Sequence, residues 1–325
     1  MLPQTAPNYK ASNHFINMKI MPILVRMLKS EAINRPVFAP LRYLLFKIRL
    51  NLWNMSKSDR AGWKARIHDV LTCSDLKMID RVSNAGKVED GYLIMHNGLK
   101  IEPLSYYGYP MLNMFMKSRG VHEPQEERIF GEVLKVLPKS AVMIELGSYW
   151  AFYSMWFCKV VVDARCFLIE PTAEGLEFGR KNFALNGMSG DFTRAFIGAT
   201  SDSAGSDIDT ITLDDFTGSK GLGFADIVHS DIQGFEYAML QGGDRMLSGM
   251  LVGYWFISTH SNELHHKCVE KLRQNGYDIV TSIDLDDTYS IDGIIVARSP
   301  SYPAIGPIEI SRKSTRQSNS FGPPK

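Results

Sequence analysis

Residues 141–161 read Ala141-Val-Met-Ile-Glu-Leu-Gly147 and then Ser148-Tyr-Trp-Ala-Phe-Tyr-Ser-Met-Trp-Phe-Cys-Lys-Val-Val161. The first run has the continuous apolar character of a buried strand, and Gly147 marks a turn. The residues that follow predict an apolar helix over 152–161. One strand, a glycine turn and one helix are the repeating unit of a parallel α/β sheet.

The same alternation continues along the chain. Further strands are predicted at 166–170, 191–197, 225–229, 252–258, 277–283 and 292–298, and further helices at 173–185, 236–247 and 262–275. This pattern predicts an α/β fold with a doubly wound, mainly parallel sheet that is covered by helices on both faces. The last two strands are predicted to form an antiparallel hairpin at one edge.

The chain divides into four predicted regions. Residues 1–71 are a basic, partly helical N-terminal extension, and 137–298 are the α/β domain. Residues 72–136 contain a hairpin signal at Asn97-Gly98 and a helix start at Glu123-Pro124, which together predict a cover over the domain. Five residues of this cover are predicted to lie on the acceptor side: Tyr92, His96, Tyr106, Tyr107 and Tyr109. The tail 299–325 is rich in Pro, Ser and Gly and is predicted to be disordered.

The net charge of +1 hides a basic N-terminal segment. Residues 1–70 hold twelve lysines and arginines against three acids. Such a segment either contacts an anionic partner or forms a solvated face, and the sequence leaves both open. The run 37–53 is basic and amphipathic, so peripheral contact with an anionic membrane is one hypothesis. No run of 18 apolar residues and no CxxC spacing occur, which predicts a cytoplasmic protein without a membrane span.

Candidate site residues are found at the predicted strand ends, because open α/β sheets bind ligands there. The first strand ends in Glu145 and Gly147, and a backbone without Cβ lets a ligand approach the turn. The second strand ends in Glu170, which is placed to accept hydrogen bonds from two ribose hydroxyls. The turn lacks the glycines of the GxGxxG motif, which disfavours a nucleotide-dependent oxidoreductase.

The later strands end in Asp231 and His260, which we predict to lie side by side at the same rim. Either side chain is a candidate general base, and the histidine is better matched to neutral pH. Glu236 is predicted in the first turn of a helix, where the dipole favours an acid, and it is also a candidate capping residue. Asp231 together with Asp214 and Asp215 is an alternative site for a divalent cation, which the sequence does not favour.

Six segments, in this order, resemble the FkbM family of methyltransferases. They are Ile144-Glu-Leu-Gly-Ser-Tyr-Trp-Ala-Phe-Tyr-Ser154, Ile169-Glu-Pro171, Asn182-Phe-Ala-Leu-Asn186, Ile211-Thr-Leu-Asp-Asp215, Asp231-Ile-Gln-Gly-Phe-Glu236 and Asn275-Gly-Tyr277. The resemblance implies a class I, Rossmann-like methyltransferase with S-adenosylmethionine as the donor. It further implies transfer of methyl to a hydroxyl oxygen of a sugar, a glycan or a natural product.

The resemblance also implies roles for individual residues. The methionine part of the donor is expected on Glu145 and Gly147 and on the turn that follows, which consists of Ser148, Tyr149, Trp150 and Ala151. Glu170 is expected to hold the ribose, and Asp231 to lie near the reacting methyl. This sequence departs from the residues usual in the family at three places, and these departures affect the identity of the acceptor more than donor binding. Ala151 replaces a common glycine, His229-Ser230 replace a lysine and an apolar residue, and Phe235 replaces a smaller residue.

Alternatives to this interpretation come from other classes of protein. A donor-binding protein without catalysis would keep Glu145, Gly147 and Glu170 but could dispense with Asp231 and His260, and both are present. A nucleic-acid partner is not favoured, since the basic arm has neither a base-reading motif nor interleaved aromatic residues. The favoured reaction is an in-line displacement in which positioning and a general base supply the acceleration.

Overall fold

The computed structural model describes residues 57–202 and 207–314. The region before the main sheet consists of helices and a small sheet. Its elements are α1 (Lys57–Thr72), a 3-10 helix (Ser74–Met78), β1 (Val88–Glu89), β2 (Tyr92–Ile94), β3 (Lys100–Ile101), α2 (Gly108–Ser118) and α3 (Pro124–Leu134). β2 and β3 pair antiparallel around the predicted Asn97-Gly98 turn, with Leu93 opposite Ile101, and β1 pairs with the other edge of β2.

The α/β domain follows, and its elements alternate as the sequence predicts. They are β4 (Val142–Leu146), α4 (Phe152–Val160), β5 (Arg165–Ile169), α5 (Ala173–Leu185), β6 (Asp191–Thr193), β7 (Phe196–Ile197), β8 (Thr210–Ile211), α6 (Leu213–Ser219), β9 (Ala225–Ser230), α7 (Glu236–Gly242), α8 (Asp244–Ser248), β10 (Val252–Thr259), α9 (Asn262–Gln274), β11 (Asp278–Ile283) and β12 (Gly293–Arg298).

Seven of these strands form one sheet in the order β11-β12-β10-β9-β4-β5-β6. β4 lies between β5 and β9 and is parallel to both, so the chain runs outward from β4 to β6 and starts again at β9 on the other side. The strand order therefore reverses between β4 and β9, which is where doubly wound sheets bind ligands. The predicted doubly wound, mainly parallel sheet is confirmed.

The last two strands pair antiparallel and lie at one edge of the sheet, as predicted. β12 lies between β10 and β11 and is antiparallel to both, so β11 is the edge strand and runs in the direction of the parallel strands. Residues 284–292 connect the two strands. This antiparallel insertion brings the residues just before β12 to the same end of the sheet as the ends of β9 and β10.

The central strands are buried on both faces. Every residue of β4, β9 and β10 is buried, including the charged side chain of Glu145 and the imidazole of His229. Burial of one Leu, Ile or Phe side chain contributes about 1.5–3 kcal/mol, so these strands supply much of the driving force for folding. Polar residues on such strands need partners inside the protein, and these partners build the site described below.

Three details of the domain differ from the sequence prediction. The predicted strand 191–197 is two strands, because the chain leaves the main sheet after β6 and β7 pairs with β8. The predicted helix 236–247 is divided at Gly243, where a Cβ would lie 2.9 Å from the Leu213 side chain. α6 was not predicted, although Thr212 caps it by accepting a hydrogen bond from the N–H of Asp215.

The prediction of a disordered tail is wrong for residues 299–314. This segment has little regular structure, but its polar groups bond to the domain and Ile310 is buried. The Tyr254 hydroxyl donates to the Pro303 carbonyl at 2.7 Å, and Gln125 donates to the Ser311 carbonyl at 2.6 Å. The composition of the tail indicated disorder, because composition contains no information about hydrogen-bond partners elsewhere in the chain. Residues 315–325 lie outside the described part of the chain.

Most of the predicted basic extension, residues 1–56, also lies outside the described residues, and so does the amphipathic run 37–53. The described part of the extension is α1, and the side chains of Trp63, Ile67 and Val70 on one face of this helix are buried. Over the described ranges, no helix combines the length and the apolar content that crossing a bilayer requires.

Candidate active site

A cavity of about 400 Å³ opens at the carboxyl ends of β4, β5 and β9, at the point where the strand order reverses. Its volume is within the range of cofactor and small-molecule sites. The cover, the strand ends and the loop after β9 all contribute to its walls. The lining residues used below are Tyr106, Tyr107, His122, Glu123, Glu145, Gly147, Ser148, Tyr149, Trp150, Tyr153, Glu170, Phe196, His229, Asp231 and Ser258.

The turn after β4 is held by the neighbouring strand. Gly147 has φ +75°, and a Cβ at this position would lie 1.9 Å from the backbone carbonyl oxygen of Asp231. We expected the glycine to make room for a ligand, but the structure shows that it makes room for the protein backbone. The Glu145 carboxylate, buried beneath the turn, accepts a hydrogen bond from the N–H of Ser154 at 3.0 Å.

The rest of the turn forms one wall of the cavity. Tyr149 and Ala151 both have positive φ, +39° and +64°, so the alanine that replaces a family glycine occupies a left-handed conformation at the start of α4. The Ser148 hydroxyl is buried and has no hydrogen-bond partner among the described residues. Trp150 stacks between Tyr106 and Phe152, with centroid distances of 4.6 and 5.0 Å. Ser148, Tyr149 and Trp150 line the cavity, whereas Ala151 is buried beside it.

Glu170 lies at the end of β5 with its carboxylate in the cavity wall. Oε2 accepts a hydrogen bond from the N–H of Tyr149 at 3.1 Å, and Oε1 accepts from the N–H and the hydroxyl of Thr172 at 2.8 and 2.5 Å. Each oxygen of an ionised carboxylate has two lone pairs, so Oε2 can accept one further hydrogen bond from a ligand, and Oε1 can accept one when the Thr172 hydroxyl rotates away. The loops on both sides thus fix the orientation of this acid.

Asp231 and His260 meet at the rim as predicted. His260 Nε2 lies 3.3 Å from Asp231 Oδ1 and 3.3 Å from Asp292 Oδ1, and Nδ1 lies 3.0 Å from Glu236 Oε1. Burial alone lowers the pKa of His260, but Asp231, Glu236 and Asp292 together raise it to about 11. The imidazole is therefore protonated at neutral pH, which argues against the predicted role of His260 as a general base.

This ion cluster predicts how stability depends on pH. The folded-state pKa of His260 is raised above its ordinary 6.5, so its contribution is complete below pH 6.5 and declines as pH rises toward 11. We expect His260→Gln to lower the free energy of unfolding more at pH 6 than at pH 9.5, as measured by urea denaturation. His266→Gln, at an exposed histidine, is the control. A loss from His260→Gln that does not change with pH would contradict the protonated state.

Asp214 and Asp215, which were predicted to form a cation site with Asp231, bond to other parts of the chain, and so does Glu236. The Glu236 carboxylate accepts from the N–H of Gly234 at 3.1 Å and thereby fixes the loop between β9 and α7. Asp214 accepts from the N–H groups of Arg245 and Met246 at the start of α8, and Asp215 accepts from the Ser201 hydroxyl. The alternative site formed by Asp214, Asp215 and Asp231 is therefore wrong. The described ranges contain no group of three or more acids, histidines or cysteines arranged to hold a metal ion.

Three buried acids lie at the start of α3, and sequence reasoning missed them; Glu123 lines the cavity, and Glu126 and Glu127 bond to histidines. Glu127 lies 2.7 Å from His122 Nδ1 and 3.1 Å from His96 Nε2, and His122 Nε2 lies 3.0 Å from Glu123. Burial raises the pKa of Glu123, but the charge of His122 outweighs it and holds the pKa at about 2. For His122, burial acts in the opposite direction and lowers the pKa, but Glu123 and Glu127 outweigh it and raise the pKa to about 10. The signal was the run His122-Glu-Pro-Gln-Glu-Glu127, which we interpreted only as a helix start.

The third acid of this run, Glu126, pairs with a histidine of the sheet. Its Oε1 lies 2.8 Å from His229 Nε2, and its Oε2 accepts a hydrogen bond from the Ser258 hydroxyl at 3.2 Å. His229 lines the cavity two residues before Asp231, and its ring packs on that of Tyr153 at 4.2 Å. Sequence analysis noted His229 only as a departure from the family.

The predicted cover residues divide into two groups. Tyr106 and Tyr107 line the cavity, with ring centroids 4.6 Å apart. Tyr92, His96 and Tyr109 are not among its lining residues. Phe196, which the sequence did not single out, is a further aromatic residue of the lining.

Comparison with known proteins extends this picture. Residues 146–279 match the model of the methyltransferase FkbM domain. Precorrin-6y C5,15-methyltransferase from Geobacter metallireducens is 18% identical, with a TM-score of 0.37 over 53% of this chain and 89% of that one. M. capricolum TrmK, in complex with S-adenosyl-homocysteine, is 15% identical, with a TM-score of 0.36 over 54% and 69%. The comparison with curated proteins gave no match.

The order of the seven strands, with one antiparallel strand inserted next to the edge, defines a class I, Rossmann-like methyltransferase fold. Residues 146–279 of this fold match the methyltransferase FkbM domain, so this part of the chain is an S-adenosylmethionine-dependent methyltransferase domain similar to that family. The six segments that suggested this family from sequence lie on the strands, turns and helices that build the domain.

Proposed function

We propose that this protein transfers the methyl group of S-adenosylmethionine to a hydroxyl oxygen of a sugar, a glycan or a natural product. The observation that carries the proposal is the cavity itself. Its lining combines a fixed carboxylate and aromatic surface, which suit a nucleoside, with further acids and tyrosines, which suit a hydroxylated acceptor. The turn after β4 is packed against the backbone of Asp231, so the candidate donor and acceptor residues share one cavity.

The residues of the cavity fit the donor. Glu170 Oε2 keeps a free lone pair for one ribose hydroxyl, a second can replace the Thr172 hydroxyl on Oε1, and Phe196 offers an apolar aromatic face to the adenine. The unpartnered Ser148 hydroxyl, together with the N–H groups at the start of α4, suits the carboxylate of the methionine part. When bound, S-adenosylmethionine supplies a methyl group on a positively charged sulfur that leaves as a neutral thioether.

Asp231 is the residue that we assign to the acceptor hydroxyl. Its Oδ1 lies near His260 and accepts a hydrogen bond from the Gln233 amide at 2.9 Å, while the side chain lines the cavity. The charged His260 holds Asp231 in place, so His260 acts as a positioning residue. An oriented carboxylate aligns the acceptor oxygen for in-line attack, and such alignment supplies a large part of the acceleration in a displacement reaction.

The aromatic surface of the cover supports a sugar or another ring-shaped acceptor. Tyr106 is fixed by its stacking on Trp150, and Tyr107 is partly exposed beside it. Flat rings pack against the apolar faces of sugars, while the nearby acids Glu123 and Asp231 accept hydrogen bonds from sugar hydroxyls. This combination favours an uncharged, hydroxyl-rich acceptor.

The test is transfer of an isotopically labelled methyl group. We expect the full-length protein with labelled S-adenosylmethionine to form a labelled methyl ether on at least one member of a panel of sugars, glycans and hydroxylated small molecules, detected by mass spectrometry. The matched control is Asp231→Ala, which should bind the donor normally and transfer at least about 100-fold more slowly, as expected for loss of an orienting group. Label found only on nitrogen or carbon would contradict O-methylation, and normal transfer by Asp231→Ala would contradict the role of Asp231.

The basic N-terminal segment stays a separate proposal. Contact with an anionic membrane would bring the enzyme to lipid-linked acceptors, and each Lys or Arg near such a surface contributes about 1 kcal/mol. Binding to anionic vesicles should therefore weaken as salt rises, whereas neutral vesicles should not bind. Equal sedimentation with both kinds of vesicle would reject this proposal.

A further inference from the structure

His229 lines the cavity, and only one of its two ring nitrogens has a hydrogen-bond partner among the described residues. Nε2 lies 2.8 Å from Glu126, and the second oxygen of Glu126 accepts from Ser258, so the acid is held on both sides. Nδ1 is buried and has no hydrogen-bond partner among the described residues. Buried polar atoms without a partner are uncommon in proteins, and at a cavity wall they point to a bound ligand.

We propose that His229 is the general base that accepts the proton of the acceptor hydroxyl, through Nδ1, with Glu126 as its positioning residue. This inference rests on the proposed O-methyl transfer and adds the group that removes the proton. Glu126 accepts the Nε2 proton and so fixes the tautomer in which Nδ1 carries a free lone pair. The arrangement of an acid, a histidine and a hydroxyl is the one by which enzymes activate a weak oxygen nucleophile.

The proton and the electrons balance in this step. The bond between the acceptor oxygen and the methyl carbon forms as the bond between sulfur and the methyl carbon breaks, and the electron pair of the broken bond stays on sulfur. The O–H bond of the acceptor breaks, and its proton moves to Nδ1. The resulting imidazolium is stabilised by Glu126 until the proton passes to solvent.

The other acid–base groups at the cavity are less suited to this task. His260 is already protonated, and Asp231 lies against that charge. The pKa of Glu123 is held at about 2 by His122, so it is a weak base. Glu123 and Glu127 raise the pKa of His122 to about 10, so this imidazole is protonated as well. His229 is the other imidazole of the lining, and histidine is the side chain whose pKa lies closest to neutrality.

The surroundings of His229 set the pH range in which it can act. Glu126 on α3, Glu145 on β4 and Asp231 beyond β9 are the charged groups that face it, and Tyr153 on α4 packs on its ring. Burial lowers the pKa of His229, but these acids outweigh burial and raise the pKa above its ordinary 6.5. A base acts when it is unprotonated, so the rate of transfer should rise with pH through this raised pKa.

Glu126→Gln separates this role from a structural one. The amide keeps the size of the side chain and can still accept from Nε2, but it removes the negative charge. We expect the acidic limb of the pH–rate profile to move to lower pH. The NMR titration of His229 in the protein saturated with S-adenosylhomocysteine should show the same shift, independently of turnover. A His229 that only supports the fold would show the NMR shift, but the midpoint of the pH–rate profile would stay in place.

His229→Gln tests the base directly, with the acceptor identified by labelled-methyl transfer. We expect kcat to fall about 10²- to 10⁴-fold while the affinity for S-adenosylhomocysteine, measured by calorimetry, stays near the native value and so reports an intact fold. His266→Gln is the control at an exposed histidine. Native rates in His229→Gln, or pH midpoints that Glu126→Gln does not move, would overturn the inference and leave the proposed function intact. Failure of the native protein to methylate any hydroxyl would overturn both.

Discussion

Glu170→Ala is expected to weaken the binding of S-adenosylhomocysteine at least about 100-fold. We assign the ribose hydroxyls to this carboxylate, and a hydrogen bond to a charged group contributes about 1.5–3 kcal/mol. Its orientation depends on hydrogen bonds from the N–H groups of Tyr149 and Thr172, so alanine removes both the acceptor and the clamp. Isothermal titration calorimetry measures the change.

Two further variants make this result specific. Glu170→Gln keeps the size of the side chain but has one acceptor oxygen instead of two, so it should also weaken binding. Glu177→Ala removes an exposed acid from α5 and should leave the affinity unchanged. Native affinity in a folded Glu170→Ala protein, as judged by circular dichroism, would remove Glu170 from the donor site.

Gly147→Ala is expected to lower the free energy of unfolding by about 2–5 kcal/mol and to abolish donor binding. A left-handed conformation costs an alanine about 1–2 kcal/mol, and forcing a methyl group into a packed site costs about 1–3 kcal/mol more. Here the methyl group would meet the backbone carbonyl of Asp231, which a side-chain rotation cannot relieve. The end of β9 and the turn after β4 would have to separate.

Urea denaturation measures this effect, and Gly218→Ala provides the matched control. Gly218 lies in α6, and a Cβ there would meet nothing within 4 Å. Alanine is favoured over glycine in a helix by about 1 kcal/mol, so this variant should be neutral or slightly more stable. Equal stability of Gly147→Ala and the native protein would show that the two strand ends are not in contact as described.

Sequence patterns predicted the α/β domain well because its signals are local. Each parallel strand is a short apolar run that ends in a polar or glycine residue, and each helix has its own start and stop residues. Which strand of the confirmed edge hairpin pairs with β10 is a long-range choice, and no local pattern indicates that it is β12. The ordered segment 299–314 was missed for the same reason, since its partners lie on distant parts of the chain.

The sequence predicted only those residues of the candidate site that lie at the ends of strands. Glu145, Gly147, Glu170, Asp231 and His260 follow from the rule that ligands bind beyond the carboxyl ends of strands. What surrounds each group was not readable from the sequence. Spacing brings His260 to the rim, but it does not show the three carboxylates that keep the imidazole protonated.

The acids of α3 illustrate the limit most clearly. Glu126 lies 103 positions before His229 in the chain. The two meet only because tertiary packing places α3 next to β9 and β10, as the contact between Phe130 and Phe256 also shows. A charged residue next to a helix start is usually solvated, and this one is buried by tertiary packing. Without the fold, His229 is one more histidine on an apolar strand.

A crystal structure of the full-length protein with S-adenosylhomocysteine tests the central claim most directly. The account predicts that the ribose hydroxyls bond to Glu170, that the amino-acid part lies on the turn from Gly147 to Trp150, and that the sulfur faces Asp231 and His229. A ligand bound outside this cavity, or with its sulfur turned away from Asp231 and His229, would contradict it.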